Sequence, residues 1–350
     1  MTQTTLYSRV LVKIGAERGK LLSEAKLKTL AESKNLVELI TQLRDSSYQE
    51  QMAKVSSPLT SRKLERALNE NLIETYLKII NNSPKKARKY LDSYLLRFEI
   101  ENIKALIKAT SAKLSSEEKM TKIYLSAENY LENRKIIEEA QRATSIRQIV
   151  DTLSNTKYAP ALDMGLQTYE ETGSTTCFDV FIDKMFFEQL YNGYESLPKK
   201  EKPHARFYAS MENDSFILLT LLRGKALNYD ANWLRLAVPH ASFNLSTETI
   251  ETIVAATDFE SALKIVLESH YAEFFEKATN AEETIASAEK AFLKAMFQQA
   301  RASVTREIFN IGSAIAFMTQ KKVEALNLAS LSLGVEAAMK PEDVQLHLLV

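Results

Sequence analysis

The chain has 350 residues, 45% of them hydrophobic, with only 8 glycines and 7 prolines. Its 45 basic and 45 acidic side chains cancel, which excludes a global field that would draw in nucleic acid or an anionic membrane surface. A single cysteine, Cys177, excludes an internal disulfide and fits a reducing compartment.

No proline falls between Pro84 and Pro160 or between Pro239 and Pro341, which leaves room for long helices and predicts an all-α protein. A first helix carries Tyr7, Arg9 and Arg18, and short helices near 23–33 and 36–45 follow. Ser57-Pro58 interrupts the chain before two long helices, about 60–81 and 84–113. The second opens on the basic run Pro84-Lys85-Lys86-Ala87-Arg88-Lys89, read as a solvated helix face. Short helices recur, Ala159-Pro160 repeats the interruption, and a second long pair turns near Pro198–Pro203. Cys177, close to Phe178, Val180 and Phe181, reads as a small buried apolar residue. After Val238-Pro239, Ser246 caps a further short helix. A long helix then runs from about Glu282 towards Lys321 with a kink at Gly312, and a last helix follows Pro341. The longest apolar stretch, Phe216–Leu222, is far short of the roughly 20 residues that span a bilayer, and the N-terminus lacks a signal-peptide core. No membrane crossing is expected.

A thirteen-residue pattern punctuates this order three times. The copies are Leu36, Leu39, Ile40, Leu43, Tyr48; Ile146, Ile149, Val150, Leu153, Tyr158; and Phe259, Ala262, Leu263, Val266, Tyr271. Each places apolar residues at i, i+3, i+4 and i+7 on one face of a short helix, with a tyrosine five residues later. A capping residue (Asn35, Ser145, Asp258) precedes each copy. Lead-in residues Ser23, Leu27 and Leu30 match Ser246, Ile250 and Ile253, whereas the middle copy keeps only Ile137 and Ala140, a degraded lead-in. The tyrosines stand 110 and 113 residues apart. That period predicts three tandem helical units, 1–122, 123–240 and 241–350, with threefold pseudo-symmetry.

Chemical motifs are scarce. The four histidines (His204, His240, His270, His347) lack metal-ligand spacing, and neither a phosphate-cradling glycine loop nor a nucleophile elbow occurs. No cofactor or metal is expected, and no catalysis. The polar residues inside long helices carry more information. Arg97, Glu99 and Asn102 recur as Arg306, Glu307 and Asn310, an acid three residues before an amide, while the middle unit has Asp214 and Ile217 with Arg223 at its basic end. A buried charge survives only if paired. These residues are therefore expected to fix helix register at unit boundaries, or to face a partner. The repeated tyrosines should close each small helix with the hydroxyl on water or a backbone group.

These residues carry a resemblance. LKTLAESKNLVELITQLRDSSY (Leu27–Tyr48) resembles the first repeat of the C-subunit family of archaeal-type (A-type) rotary ATP synthases, which is similar to the d subunits of eukaryotic V-type ATPases. Tyr7, Arg9 and Arg18-Gly19-Lys20-Leu21-Leu22 fit that family's opening, LLTLLRGKAL (Leu218–Leu227) its middle repeat, and Glu307 and Asn310 its last long helix. Ile217 in place of an asparagine, and Pro239-His240-Ala241 in place of a glycine-containing turn, depart from it. The resemblance implies a funnel of three helical units on the cytoplasmic face of the membrane. It implies as partners the proteolipid subunits of the rotor ring and central-stalk subunits of D and F type, with membrane contact only through them. An all-helical adaptor and a helical enzyme with a deep site at a unit junction are the alternatives.

Overall fold

The structure, a computed structural model, describes residues 3–303, 306 and 308–349. Every regular element among them is helical. In chain order these are α1 (Gln3–Arg18), α2 (Glu24–Ala31), α3 (Leu36–Arg44), α4 (Gln49–Ala53), α5 (Ser61–Asn82), α6 (Lys85–Leu91) and α7 (Ser93–Ser111). Then come α8 (Ser116–Met120), α9 (Leu125–Leu131), α10 (Arg134–Arg142), α11 (Ile146–Thr152), α12 (Ala159–Thr172), α13 (Thr176–Glu195) and α14 (Lys202–Ala226). The last are α15 (Ala231–Ala237), α16 (Thr247–Ala255), α17 (Phe259–Val266), a 3-10 turn at Ala272–Phe274, α18 (Ala281–Ser303), α19 (Ile311–Glu336) and α20 (Pro341–Leu346).

The three small helices start where the sequence says they should. Asn35 Oδ1 accepts the Glu38 N–H at 3.0 Å, Ser145 Oγ the Gln148 N–H at 3.3 Å and Asp258 Oδ1 the Ser261 N–H at 2.8 Å. Each cap satisfies a donor that the first helical turn leaves unpaired. The middle lead-in, expected to be degraded, is an intact helix (α10), with Ile137, Ala140 and Gln141 buried on its inner face.

Two long helices differ from expectation. The stretch 84–113 is divided at Asp92 into α6 and α7. The stretch from Glu282 towards Lys321 does not bend at Gly312: α18 stops at Ser303 and α19 begins at Ile311. Phe309 takes a left-handed φ of 62°, and Asn310 is extended and caps the new helix through its side-chain oxygen on the Gly312 N–H at 2.8 Å. A left-handed residue followed by an N-cap ends one helix and starts another.

The chain divides into two compact units, residues 1–88 with 296–350, and residues 89–295. In the first, α19 packs on α5, and residues from both ends of the sequence share one core. Leu30, Leu39, Leu43, Met52 and Leu64 meet Leu328, Leu331, Val335 and Val344 there. Arg88 folds back to donate to the Asn81 and Ser83 carbonyls at the end of α5. In the second unit α13 packs against α7, α12 and α14. Lys104 and Lys108 of α7 pair with Asp183 and Asp179 of α13 at 2.9 and 2.7 Å. Cys177 is buried at the start of α13. No helix among the described residues is long and apolar enough to cross a membrane.

Replacing a small-helix cap, Asn35→Ala or Ser145→Ala, should lower stability by about 1 kcal/mol each, measured as a shift in the urea unfolding curve with unchanged slope.

Candidate functional site

Each small helix leads into its tyrosine through the same turn. A hydroxyl two residues earlier (Ser46, Thr156, Ser269) donates to the carbonyl of Leu43, Leu153 or Val266 at 2.6, 2.6 and 2.7 Å. The same hydroxyl oxygen accepts the tyrosine's own N–H at 3.3, 3.2 and 3.2 Å. This fixes the tyrosine backbone and aims the ring inward. Tyr48, Tyr158 and Tyr271 are at most 2% exposed.

Each phenol donates to a buried carboxylate on a long helix. Tyr48 Oη meets Glu324 Oε1 of α19 at 2.7 Å, and Tyr271 Oη meets Asp214 Oδ2 of α14 at 2.8 Å. Tyr158 donates to Glu99 of α7. The expectation of water or backbone as the tyrosine's partner is corrected for Tyr48 and Tyr158, while Tyr271 also reaches the Ser210 carbonyl at 3.4 Å: a phenol this deep is out of reach of bulk solvent, and a carboxylate is the stronger acceptor. The other carboxylate oxygen is also served. Glu324 Oε2 accepts the Leu22 N–H, and Glu99 Oε2 accepts Asn133 Nδ2 at 2.9 Å. Asp214 Oδ1 accepts the Phe243 N–H at 2.9 Å, and Asn244 N–H reaches Oδ2 at 2.8 Å.

The acid-to-amide spacing recurs in the third copy at Glu324 and Asn327, inside α19. Asn327 clamps Leu349 by both its backbone groups at 2.8 Å each. Asn102 clamps Tyr124 the same way, at 2.6 and 3.1 Å. Each clamped residue lies 22 positions after its asparagine. Twenty-two positions after Ile217 stands Pro239, which has no N–H to offer. The two departures from the family pattern thus explain each other. Asn213 takes over in the middle copy, donating to the Ala241 carbonyl at 3.0 Å.

The remaining expected residues are not gathered with these. Arg97 is half-buried, over the Phe186 ring at 4.8 Å and 3.5 Å from Glu212. Arg223 is exposed and paired with Glu289. Arg306 is exposed in the turn after α18, Asn310 caps α19, and Glu307 lies outside the described residues.

Charge is balanced differently at each lock. Lys321 of α19 donates to Tyr48 Oη at 2.9 Å and to Glu324 Oε1 at 2.8 Å. Leu96 and Met211 hold the corresponding places, three residues before Glu99 and Asp214. Burial pushes the Lys321 ammonium down, against the pull of Glu324. Burial pushes all three phenols up, and the adjoining carboxylate adds to it. Beside Lys321 a polar pocket of about 260 Å³ is lined by Glu17, Lys20, Asn71 and Lys78 among others. Glu17 pairs there with Lys20 at 2.7 Å and Lys78 at 3.7 Å. Among the described residues no group of three or more His, Cys, Asp or Glu could hold a metal ion.

Sequence reasoning missed Glu324, Lys321 and Asn327, and the hydroxyl two residues before each tyrosine. The signals were present: Ser46, Thr156 and Ser269 recur in register, and Glu324 and Asn327 repeat the Glu99 and Asn102 spacing. Removing one phenolic donor, Tyr158→Phe or Tyr271→Phe, should cost about 1–3 kcal/mol in urea unfolding, since it strips a donor from a buried carboxylate. Because the folded phenols titrate above 10, their contribution is intact below pH 10 and is lost as pH rises beyond it. Tyrosinate absorbance near 295 nm should therefore show Tyr48, Tyr158 and Tyr271, together with the fully buried Tyr90, ionising only with unfolding.

Residues 10–346 match the family described as ATP synthase (C/AC39) subunit. The A-type ATP synthase C subunit of Methanocaldococcus jannaschii is 28% identical over 343 residues, 97% of this chain and 85% of that protein. Its counterpart from Methanothermobacter thermautotrophicus is 26% identical over 321 residues, 90% and 80% of the two chains. The one from Thermococcus kodakarensis is 25% identical over 344 residues, 97% and 90%. With nearly its whole length matched, this chain belongs to the ATP synthase (C/AC39) subunit family.

Proposed function

We propose that this chain is a non-catalytic rotor subunit of an A-type ATP synthase, a socket that couples the central stalk to the membrane rotor ring. Members of the family are structural subunits of the synthase and not its catalytic ones. The observation that carries the reading is the order of the three locks. Glu99 takes the tyrosine of the next repeat, Asp214 takes the one after it, and Glu324 returns to the first, Tyr48. A closed ring of three pseudo-symmetric units, 1–122, 123–240 and 241–350, requires that return; an open row of repeats would leave its first tyrosine without an acid. Such a ring forms a funnel whose socket a helical stalk tip can fill.

The partners are then the ring's proteolipid subunits and stalk subunits of D and F type. The chain sits on the cytoplasmic face and meets the membrane only through these partners. Arg97, Arg223, Arg306 and Glu307 are candidates for the contacting surface. A joint that carries torque must resist twisting, and bonds buried between helices do so better than exposed ion pairs, which are worth little each.

Glu324→Leu breaks the lock between the first and last repeats. In the assembled complex it should lower ion pumping in reconstituted vesicles more than the rate of ATP hydrolysis, because hydrolysis belongs to other chains. Equal loss of both activities with the complex intact overturns the socket, as does normal coupling in a complex that lacks this chain.

A further inference from the structure

The lock around Glu99 contains a second carboxyl group that the other two locks lack. Glu128 of α9 is 0% exposed. Its Oε1 accepts Asn102 Nδ2 at 2.6 Å, and its Oε2 has no donor. Glu99, also 0% exposed, stands one helical turn before Asn102 on α7, so the bond from Asn102 brings Glu128 to the helix face that carries Glu99, and two buried carboxyl groups can hydrogen-bond to each other only when one of them carries a proton. Glu99 is met by donors on all sides: the Tyr158 hydroxyl, Asn133 Nδ2 and, at 3.7 Å, the Lys157 ammonium. Glu128, by contrast, has Asn102 as its one donor and a bare Oε2.

We propose that Glu99 and Glu128 form a buried proton-binding site, in which Glu128 holds one proton and donates it to Glu99, tying α9 to α7 and to the Tyr158 lock. Loss of the proton places two negative groups side by side in the interior and loosens this junction. Burial, then the charge of Glu99, pushes the Glu128 carboxyl up to about 8. From α7 the site is faced by Glu99 and Asn102, and from the turn before α12 by Lys157 and Tyr158. Asn133 faces it from the α9–α10 turn, whereas Arg134 of α10 is held by Glu138 and Asn129. Lys157, 38% exposed, lowers the Glu128 value but does not cancel the burial. The corresponding acids are served otherwise, Asp214 by backbone N–H groups and Glu324 by Lys321.

A carboxyl raised from 4.5 to about 8 on folding contributes stability that is complete below the lower value. It is lost as pH rises to the upper one and is constant above it. Over that window the site alone raises the unfolding constant about tenfold per pH unit. Glu128→Gln keeps the shape and gives Glu99 a permanent N–H donor. In the full chain, the ratio of wild-type to E128Q unfolding constants should therefore climb about tenfold per unit between about pH 5 and 8 and then level off. A ratio that stays flat with pH means a purely structural glutamate and overturns the site. Infrared difference spectra of the native wild-type protein give a second readout that survives failure of the variant to fold. The expected result is a protonated-carboxyl carbonyl band at pH 7 that fades with a midpoint near 8 and is missing from E128Q. Absence of the band, or its persistence in folded E128Q, overturns the assignment.

Discussion

A carboxylate taken out of water must be given donors, and the phenol–carboxylate bond is how this chain meets that demand while joining distant segments. Left unpaired, a buried ionised carboxylate would cost far more than any single contact returns. Placing Glu99, Asp214 and Glu324 inside long helices therefore constrains the rest. Each needs a donor from another element, and in every case the tyrosine after a small helix supplies it. The tyrosine can do so only if its own backbone is fixed. The Ser46, Thr156 and Ser269 hydroxyls fix it, and the Asn35, Ser145 and Asp258 caps set the helix before it.

The three sites solve the same electrostatic problem by different chemistry. At Glu324 a buried lysine supplies the countercharge, and its ammonium also lies over the Tyr48 ring at 4.2 Å. At Asp214 the shorter side chain stays near its own helix, and backbone N–H groups of Phe243 and Asn244 come to it. At Glu99 the neighbours are an asparagine, a partly exposed lysine and a second carboxyl. Divergence between repeats is tolerated as long as the anion is satisfied, which is why the phenol persists while its surroundings change. The pairing of Ile217 with Pro239 follows the same logic: an amide with no N–H to clamp would itself be a buried unpaired group.

The socket proposed for this chain would need stiffness across its junctions. Buried, directional bonds between helices supply stiffness at a cost in net stability that apolar packing around them offsets.

The sequence by itself determined the all-helical class, the three small helices with their caps, and the identity of the repeated tyrosines. These are local properties: helix periodicity, capping and the scarcity of proline and glycine act within a dozen residues. It also pointed to Glu99 and Asn102, because polar residues inside an apolar helix must be paired. Only tertiary structure decided the partners. Tyr48 and Glu324 are 276 residues apart, and no local rule selects Glu324 over Glu307 when both stand three residues before an asparagine. A left-handed Phe309 and the Asn310 cap start α19, and Glu324 lies inside that helix, where the Tyr48 phenol reaches it. The proton shared with Glu128 was likewise beyond the sequence, because burial and the proximity of Glu99 create it, and both arise only when α7 and α9 pack.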